Sequence, residues 1–403
     1  MCGLGEPDPF VPRELWSRGT RSARCAWRWL AKSFSVSLVA ALGSAPLTLY
    51  HFQLVTPVSL VANMVHVPLA GFILATAGLT AGMRPAGEEA ASVFSSANWA
   101  LVRACLVSGE WFSKVPGGSV VWNPRADRVS GGACQLIVFD AGEGGAVLIR
   151  TPGGRNWLVD TGRPGAFRSI VSPGLRWHGV RRLDGLILSH GDHEHVGAAA
   201  EVWGRWHPPV VGHPRVSSRS PGLRAVLREA GEAAVPLAAG SRLVPDETVR
   251  LSVVWPPAEA ALPLADDACL VLLLEVAGRA VLISNDAGFL AERGLARTHP
   301  GLRADVWIRG HHASDVSGQA DFVERLNPSI IVSARARHGA TVGSAGGEAA
   351  LEAGGAWLLD QRECGAVEIT ISPDGGCEAK PFLRTESEEA VMGGPGLAFR
   401  EAE

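Results

Sequence analysis

The chain has 403 residues, which is enough for two domains, and its formal net charge is −3. Hydrophobic residues make up 47% of it and charged residues 19%, a balance too apolar for an ordinary soluble protein and too polar for a polytopic membrane protein. A net charge of −3 excludes an overall positive charge that would attract nucleic acid, so a nucleic acid would have to bind at a local basic patch or through metal ions. The seven cysteines lack CxxC spacing, and their odd number excludes a complete disulfide framework.

A basic N-terminal segment precedes two long apolar runs. Residues 34–83 carry almost no charge, and each run is long enough to span a bilayer, although prolines, an asparagine and a histidine interrupt them. Arg and Lys residues cluster within residues 13–32, whereas only Arg84 closely follows the second run, so we predict a cytoplasmic N-terminus. A cleaved signal peptide is the alternative, but it would not be followed by a second long apolar run.

The composition changes after the apolar runs. Residues 91–111 predict an amphipathic helix that lies in the membrane interface, and the Pro, Gly, Ser and Arg content of the next residues indicates a linker. The predicted segments are a basic cytoplasmic segment (1–33), a membrane region (34–114), a linker (115–132), a second domain (133–380) and a disordered tail (381–403).

The second domain has short strand-like runs bounded by turn residues. Strands are predicted at 134–140, 145–151, 156–162, 183–190, 249–255, 269–276, 280–284, 306–308 and 329–333. Helices are predicted at 196–206, 222–230, 289–298 and 320–326. The first four strands come before any clear helix. This order predicts an α/β fold in which two sheets pack together and are covered by helices.

The segment LILSHGDHEHVGA contains the densest group of potential metal ligands. A predicted strand ends there, and His190, Asp192, His193, Glu194 and His195 follow within six residues. Imidazole and carboxylate groups together suit Zn²⁺, Mn²⁺ or Fe. The alternative is a solvated helix N-terminus at which acids complement the helix dipole, but capping needs one acid and not three histidines.

Two later strands end in the same way. AVLISNDAG ends on Asp286, and ADVWIRGHHASDVS ends on His311 and His312. Each of these alone would indicate a turn or surface residue. Together with the first group, strand ends that bring Asp and His to one rim predict a two-metal site in which a carboxylate bridges the ions.

These motifs resemble the metallo-β-lactamase superfamily and its HxHxDH signature. More closely, the chain resembles the ComEC family of competence proteins, in which the second His is commonly Asp. VFDAGEGGAVLIRTPGGRNWLVDTG, ISNDAG, HHASDVS and the apolar stretch from residue 34 all match family segments, in the family's order over about residues 30 to 375. The resemblance implies a metallo-β-lactamase-like αββα sandwich preceded by a short α-helical transmembrane region.

The resemblance also implies a site with two divalent metal ions, Zn²⁺ or Mn²⁺, that hydrolyses DNA phosphodiesters. His190 and Asp192 would bind one ion, Glu194 and His195 the other, and Asp286 would bridge them. His311 or His312 would complete the ligands, with Asp192, Asp286 and His312 taken as catalytic. Ser314 and Ser317 would hydrogen-bond a phosphate oxygen, although turn capping is the alternative for both.

Four positions depart from the family pattern and favour a second hypothesis, a degenerate module that binds DNA or scaffolds a channel. They are Gly145 for an acid, Glu194 for Asp, Asn285 for Gly and Ala313 for Gly. A superfamily ligand histidine further along also has no clear match, since His207 and His213 are predicted to be loop residues.

The resemblance implies DNA uptake across the bacterial inner membrane, with the hydrolase domain degrading the strand that is not imported. The expected partners are DNA and inner-membrane lipid. Several more membrane helices are implied upstream, so we also expect a missing N-terminal channel portion or separate competence subunits, with a homo-oligomer as a further option. A membrane-anchored hydrolase of another ester or of a lactam is the third hypothesis.

The location of the hydrolase domain depends on the number of membrane spans. We expect a multi-pass inner-membrane protein. The resemblance implies an extracytoplasmic hydrolase domain, whereas two full spans from a cytoplasmic N-terminus would return it to the cytoplasm.

Overall fold

The computed structural model divides the chain into two compact units, Met1–Pro124 and Arg125–Glu403. The boundary falls inside the predicted linker. The structure describes residues 17–121, 130–142, 144–215, 220–259, 262, 266–310, 317–334, 355–383, 389–392 and 397–400.

The first unit consists of three long helices and a short two-stranded ladder. The helices are α1 (Arg18–Phe52), α2 (Ser59–Met83) and α3 (Glu88–Ser113), and a 3-10 turn, Arg84–Ala86, joins the last two. The ladder pairs β1 (Leu54–Val55) with β2 (Val120–Val121) in antiparallel register.

All three helices are long and apolar enough to cross a membrane. The sequence prediction placed α3 in the membrane interface, whereas its length and composition also allow it to span the membrane. Glu88, Glu89 and Glu110 lie near the ends of α3, so Arg103 is the only charged side chain in the central part of the helix. A stretch of this length with one charge meets the requirement for a span.

Polar side chains connect α2 with α3. His66 Nε2 and Ser108 Oγ lie 3.0 Å apart, and Asn98 Nδ2 donates to the carbonyl oxygen of Ile73 over 2.9 Å. His66 of α2 and Asn98 of α3 therefore each have a partner on the neighbouring helix, as polar groups inside a membrane require.

The second unit contains the remaining strands and helices. Its strands are β3 (Cys134–Val138), β4 (Val147–Arg150), β5 (Asn156–Val159), β6 (Gly185–Ile187), β7 (Val211–Pro214), β8 (Ala234–Leu237), β9 (Arg242–Asp246), β10 (Val249–Trp255), β11 (Val271–Val276), β12 (Arg279–Asn285), β13 (Val306–Arg309), β14 (Ile330–Ser333), β15 (Trp357–Asp360), β16 (Val367–Ile371), β17 (Cys377–Pro381), β18 (Glu389–Met392) and β19 (Leu397–Arg400). Its helices are α4 (Pro164–Ala166), α5 (Ser172–Trp177), α6 (His193–Val196), α7 (Ala199–Trp206), α8 (Pro221–Ala230), α9 (Phe289–Thr298), α10 (Ala320–Leu326) and α11 (Gln361–Cys364). A π-helical segment, Phe167–Val171, joins α4 to α5, and short 3-10 turns lie at Ser130–Gly132, Gly231–Ala233 and Asp266–Ala268.

The strands form two mixed sheets. One has the order β19-β18-β17-β16-β3-β4-β5-β6-β7-β8, and the other has the order β15-β14-β13-β12-β11-β10-β9. Inward-facing residues of both sheets, such as Leu136, Leu272 and Ile308, share one buried apolar cluster. The neighbouring side chains in each strand point to the opposite face of the sheet and, like Ile137 and Val271, belong to the outer clusters beneath the helices. Because both faces of each sheet are covered, the strands read as nearly continuous apolar runs.

The structure is an αββα sandwich, as predicted, with three differences in detail. The helical stretch α4 to α5 lies between the third and fourth predicted strands, because β5 and β6 are parallel and a parallel pair needs a crossover. Strands such as β7, β8 and β16 were not predicted. The tail that was predicted to be disordered contains β18 and β19, which extend the sheet from the edge of β17 by antiparallel pairing.

Candidate metal centre

The candidate site lies where strands from both sheets end. In one sheet, the parallel strands β5 and β6 lead to Asp160 and to the Ser189–His190 pair. In the other sheet, β12 leads to Asp286 beside its parallel neighbour β13. Because the carboxyl ends of parallel strands share an edge, all these side chains meet at one rim of the sandwich.

Two buried histidines are oriented by a shared carboxylate. Asp160 is fully buried, and its Oδ2 accepts from Ser189 Oγ over 2.5 Å and lies 2.8 Å from His195 Nδ1. Ser189 Oγ also lies 2.9 Å from His190 Nδ1. The Nδ1 atom of each ring therefore has a partner on the Asp160 side. Carboxylate or hydroxyl partners of this kind fix the ring orientation of metal-binding histidines and direct Nε2 towards the metal.

His195 connects the two sheets. Its Nε2 lies 2.9 Å from Asp286 Oδ2, while its Nδ1 contacts Asp160. Burial disfavours the charged imidazole, but Asp286 and Asp160 outweigh burial and raise the pKa of His195 well above its usual value. His195 therefore contacts one carboxylate from each sheet.

His190 has the opposite electrostatic environment. Burial, followed by the neighbouring charge of His195, lowers its pKa, so the ring is neutral near pH 7. Its Nδ1 is paired with Ser189, but its buried Nε2 has no hydrogen-bond partner among the described residues. The nearest carboxylate oxygens are Asp192 Oδ2 at 3.8 Å and Asp266 Oδ1 at 3.9 Å.

Two groups of side chains offer ligand atoms within 4.8 Å of one another. They are Asp160 with His190 and His195, and His190 with Asp192 and Asp266. With metal–ligand distances of about 2.1 Å, ligand atoms around one ion lie about 3.0–3.5 Å apart. The 2.9 Å between His195 and Asp286 is close to this range, and the distances from His190 to the two carboxylates are slightly longer.

The unpaired buried atoms also fit a metal ion. Buried polar atoms normally have partners, yet His190 Nε2 and Asp286 Oδ1 have none in the described part of the chain. One is a neutral imidazole nitrogen and the other a carboxylate oxygen. Both are ordinary ligands of divalent metals, so the donor set matches the ions that the sequence predicted.

Four of the predicted metal ligands, His190, Asp192, His195 and Asp286, converge on the rim. The predicted ligands His311 and His312 and the predicted phosphate-binding residue Ser314 lie outside the described residues. Ser317 is described and is buried. Asp192 occupies the N-cap position of α6, but its side chain makes no capping hydrogen bond, so the capping alternative does not account for it.

Glu194 was predicted to share an ion with His195. It lies beside Arg163, and its buried Oε2 has no hydrogen-bond partner among the described residues, so its role as a ligand stays a prediction. Its Oε2 faces Arg163, with 3.9 Å between Oε2 and the guanidinium Nε, and Glu194 is in neither ligand group of the described residues. Helical geometry separates the two side chains. Glu194 and His195 are consecutive residues of α6, and consecutive side chains on a helix point about 100° apart.

The comparisons with known proteins recover both halves of the sequence in order. The competence protein family matches residues 12–138, and the metallo-β-lactamase superfamily matches residues 140–335. ComE operon protein 3 of Bacillus subtilis is 24% identical over 365 residues, which cover 74% of this chain and 46% of that protein. Competence protein ComA of Neisseria gonorrhoeae is 28% identical over 223 residues, which cover 55% of this chain and 30% of that protein.

The chain therefore matches ComEC family proteins in both of its domains. It spans less than half the length of the curated relatives described above. Among solved structures, the metallo-β-lactamase fold protein YhfI from Bacillus subtilis aligns with 56% of this chain and 95% of its own, at 10% identity and a TM-score of 0.37. Metallo-β-lactamase superfamily membership indicates a metal-dependent hydrolase, and the fold implies divalent metal binding.

The Asn285 departure from the family pattern has a conformational explanation. Asn285 has a positive φ of 47°, a region that glycine enters freely and that asparagine tolerates better than most other residues. Its Nδ2 donates to the carbonyl oxygen of Leu270 over 2.7 Å, and its own carbonyl accepts from Gly310 N over 2.7 Å. Asn285 therefore preserves the strand end that presents Asp286.

Gly145 and its neighbour Gly144 make room for α6. A Cβ atom at Gly145 would lie 3.1 Å from His195 Cε1, and at Gly144 it would overlap the carbonyl group of Glu194. At Gly145, where the family has an acid, a side chain would therefore press on His195. The carboxylate that contacts His195 Nδ1 here is Asp160 instead.

Sequence reasoning placed Asp160 on a family motif but did not include it in the site, and it did not identify Ser189 or Asp266. Asp160 had the same signal as Asp286, an apolar strand that ends on an acid. Ser189 directly precedes His190. Asp266 lies in an acidic pair just before an apolar strand, a weak signal that needs the tertiary structure to gain meaning.

Proposed function

We propose that this chain acts in DNA uptake across the bacterial inner membrane and that its second domain is a divalent-metal phosphodiesterase that degrades the strand not imported. The observation that carries the proposal is the convergence of His190, His195 and Asp286 on one buried rim, in a chain whose preceding helices match competence proteins.

In this proposal each residue has a separate task. Asp160 and Ser189 hold the two imidazoles, and Asp192 and Asp286 contribute carboxylate oxygens on either side of them. Two bound divalent ions would activate water as the nucleophile and neutralise the charge that develops on the phosphodiester. His311 or His312 would complete the ligands. His312 would act in catalysis, and Ser314 and Ser317 would position the phosphate.

The three helices also support an extracytoplasmic position for the hydrolase domain. The N-terminal part of α1 carries Arg18, Arg21, Arg24, Arg28 and Lys32. The loop of residues 53–58 between α1 and α2 has no basic residue, and Arg84 lies in the turn between α2 and α3. If all three helices span, basic residues border the cytoplasmic ends of α1, α2 and α3. This arrangement follows the positive-inside rule and exports the second domain.

The test is DNA cleavage by the full chain in detergent with Mn²⁺ or Zn²⁺, on single- and double-stranded DNA. We expect metal-dependent cleavage that falls at least about a hundredfold in His190→Ala, since loss even of a residue that only supports a ligand costs about 10–100-fold. His207→Ala is the matched control, because His207 is exposed at the end of α7. Hydrolysis of a lactam or carboxyl ester, without DNA cleavage, would identify the third hypothesis instead.

One observation favours a second candidate, the non-catalytic module. His195 contacts Asp160 through Nδ1 and Asp286 through Nε2, so these three residues could serve as a buried structural network. Wild-type protein that folds, binds DNA and binds no Mn²⁺ or Zn²⁺ would establish that candidate.

A further inference from the structure

We propose that Asp266 is a metal ligand and that it takes the place of the histidine for which the sequence offers no match. This inference rests on the proposed metal-dependent function. It concerns the ion that His190 and Asp192 would bind.

The first observation is the unpaired nitrogen of His190. His190 is 2% exposed, and its Nε2 points between the carboxylates of Asp192 and Asp266 at 3.8 and 3.9 Å. A buried ring nitrogen without a hydrogen-bond partner is rare unless an ion or water completes it. These three ligand atoms lie within 4.8 Å of one another, so a small rotation of the side chains would bring all of them within bonding distance of one ion.

The second observation is that the turn carrying Asp266 is fixed to both sheets. Leu270 N donates to the carbonyl oxygen of Ser189 over 2.9 Å, next to His190. Asn285 Nδ2 donates to the carbonyl oxygen of Leu270 over 2.7 Å, next to Asp286. The same short turn is therefore tied to each strand end that presents a ligand.

Two further hydrogen bonds hold the turn, one from Trp255 of β10 and one within the turn itself. Trp255 Nε1 donates to the carbonyl oxygen of Asp267 over 2.7 Å, and Cys269 N donates to that of Asp266 over 3.0 Å. The side chain of Asp266 is 13% exposed, against 51% for Asp192. Of the two carboxylates near His190, Asp266 is thus the one held in position before a metal arrives, as tight ligation requires.

The two histidines considered from sequence are not brought to this site. His213 lies in β7, where its Nδ1 contacts the carbonyl oxygen of Pro214 at 2.9 Å. His207 ends α7 with a positive φ of 42° and is exposed. With Asp266, three protein residues would hold the ion, which is the usual number in a catalytic metal site.

The experiment is a Mn²⁺ titration of the full chain in detergent, with free Mn²⁺ counted by electron paramagnetic resonance. The variants are Asp266→Asn and, as the matched control, Asp267→Asn, which changes the adjacent carboxylate on the same turn. We expect Asp266→Asn to weaken the binding of one ion at least tenfold and to leave the other ion bound. Asp267→Asn should bind as the wild type does. Circular dichroism of the metal-free proteins checks that each variant is folded.

Each result has a distinct meaning. Unchanged Mn²⁺ binding by folded Asp266→Asn overturns the assignment, as does a loss seen only in Asp267→Asn. If the wild type binds no Mn²⁺, the assignment also fails. If Asp266→Asn loses one ion as expected but the wild type does not cleave DNA, the ligand assignment stands and only the proposed function fails.

Discussion

Asp160 is a buried residue that positions both histidines of the candidate site. Its carboxylate accepts from Ser189 N over 2.7 Å and from Ser189 Oγ over 2.5 Å, and contacts His195 Nδ1 at 2.8 Å. These contacts fix the orientation of both imidazole rings. Asp160 reaches this position because the chain turns at a positive φ of 57° after β5, a conformation that Asp tolerates better than most residues.

We therefore predict that Asp160→Asn weakens Mn²⁺ binding by about 10–100-fold, the usual cost of losing a residue that supports a metal-binding histidine. The physical reason is that an amide can replace only part of the acceptor capacity and presents a donor to one of its partners. Titration calorimetry on the full chain in detergent measures the change.

Asp184→Asn is the control for this prediction. Asp184 is also a buried acid beside β6, but its Oδ2 accepts from Asn156 N over 2.9 Å and it is in neither ligand group. It should change stability and leave the Mn²⁺ affinity as it is. Equal affinity in Asp160→Asn and the wild type would contradict the supporting role.

At the scale of elements, the C-terminal end of β12 depends on Asn285, whose backbone has the left-handed conformation with a positive φ. We predict that Asn285→Gly keeps Mn²⁺ binding and loses about 1 kcal/mol of unfolding free energy, the usual value of one hydrogen bond. Asn285→Val should lose about 2–3 kcal/mol, since a β-branched residue adds a conformational cost of about 1–2 kcal/mol at positive φ.

Denaturant titration of both Asn285 variants in detergent measures these differences, and calorimetry gives the Mn²⁺ affinity. The two variants are controls for each other, because both lose the amide and only one accepts the backbone conformation. Equal stability of the glycine and valine variants would show that the left-handed turn has no energetic role.

The predicted side of the membrane on which the second domain lies depends on whether α3 crosses the membrane. We predict that alkaline phosphatase fused after residue 117 is active, because three spans place that point outside the cytoplasm, and that a fusion after residue 86 is inactive. Fusions of a green fluorescent protein at the same points should give the reverse pattern. An inactive phosphatase at residue 117 would mean that α3 does not cross the membrane.

At the scale of the whole molecule, buried neutral histidines link stability to pH. Burial, with a smaller effect of Arg150, lowers the pKa of His178 from 6.5 to about 4. The unfolded chain therefore binds a proton first as the pH falls. The stability contributed by neutral His178 is complete above pH 6.5 and is lost as the pH falls towards 4.

We predict that His178→Gln flattens the acid side of the stability profile, by at most about 3 kcal/mol between pH 7 and pH 4. Thermal unfolding of the metal-free full chain in detergent at several pH values measures the slope. His299→Gln is the control, because His299 follows the last residue of α9 and is only partly buried. A slope identical to that of the wild type in His178→Gln would contradict the prediction.

Sequence patterns predicted the regular elements where they were long and buried. The bounds of β10, α9 and α10 agree with the structure residue for residue, because their apolar spacing and flanking turn residues point to one conformation. Shorter elements such as β7 and the Pro164–Trp177 helical stretch were missed. A four-residue strand or a helix rich in Gly and Pro carries little periodic signal, and its conformation depends on the sheet it packs against.

The sequence by itself determined the two-part organisation, the sandwich fold and four of the residues that meet at the rim, namely His190, Asp192, His195 and Asp286. It could do so because ligand residues at strand ends lie close together along the chain, or repeat the same strand-end pattern. Only the tertiary structure turned Glu194 towards Arg163 and brought Asp266 to His190. The first outcome depends on the direction of a side chain, and the second on a contact between residues far apart along the chain, neither of which local spacing encodes.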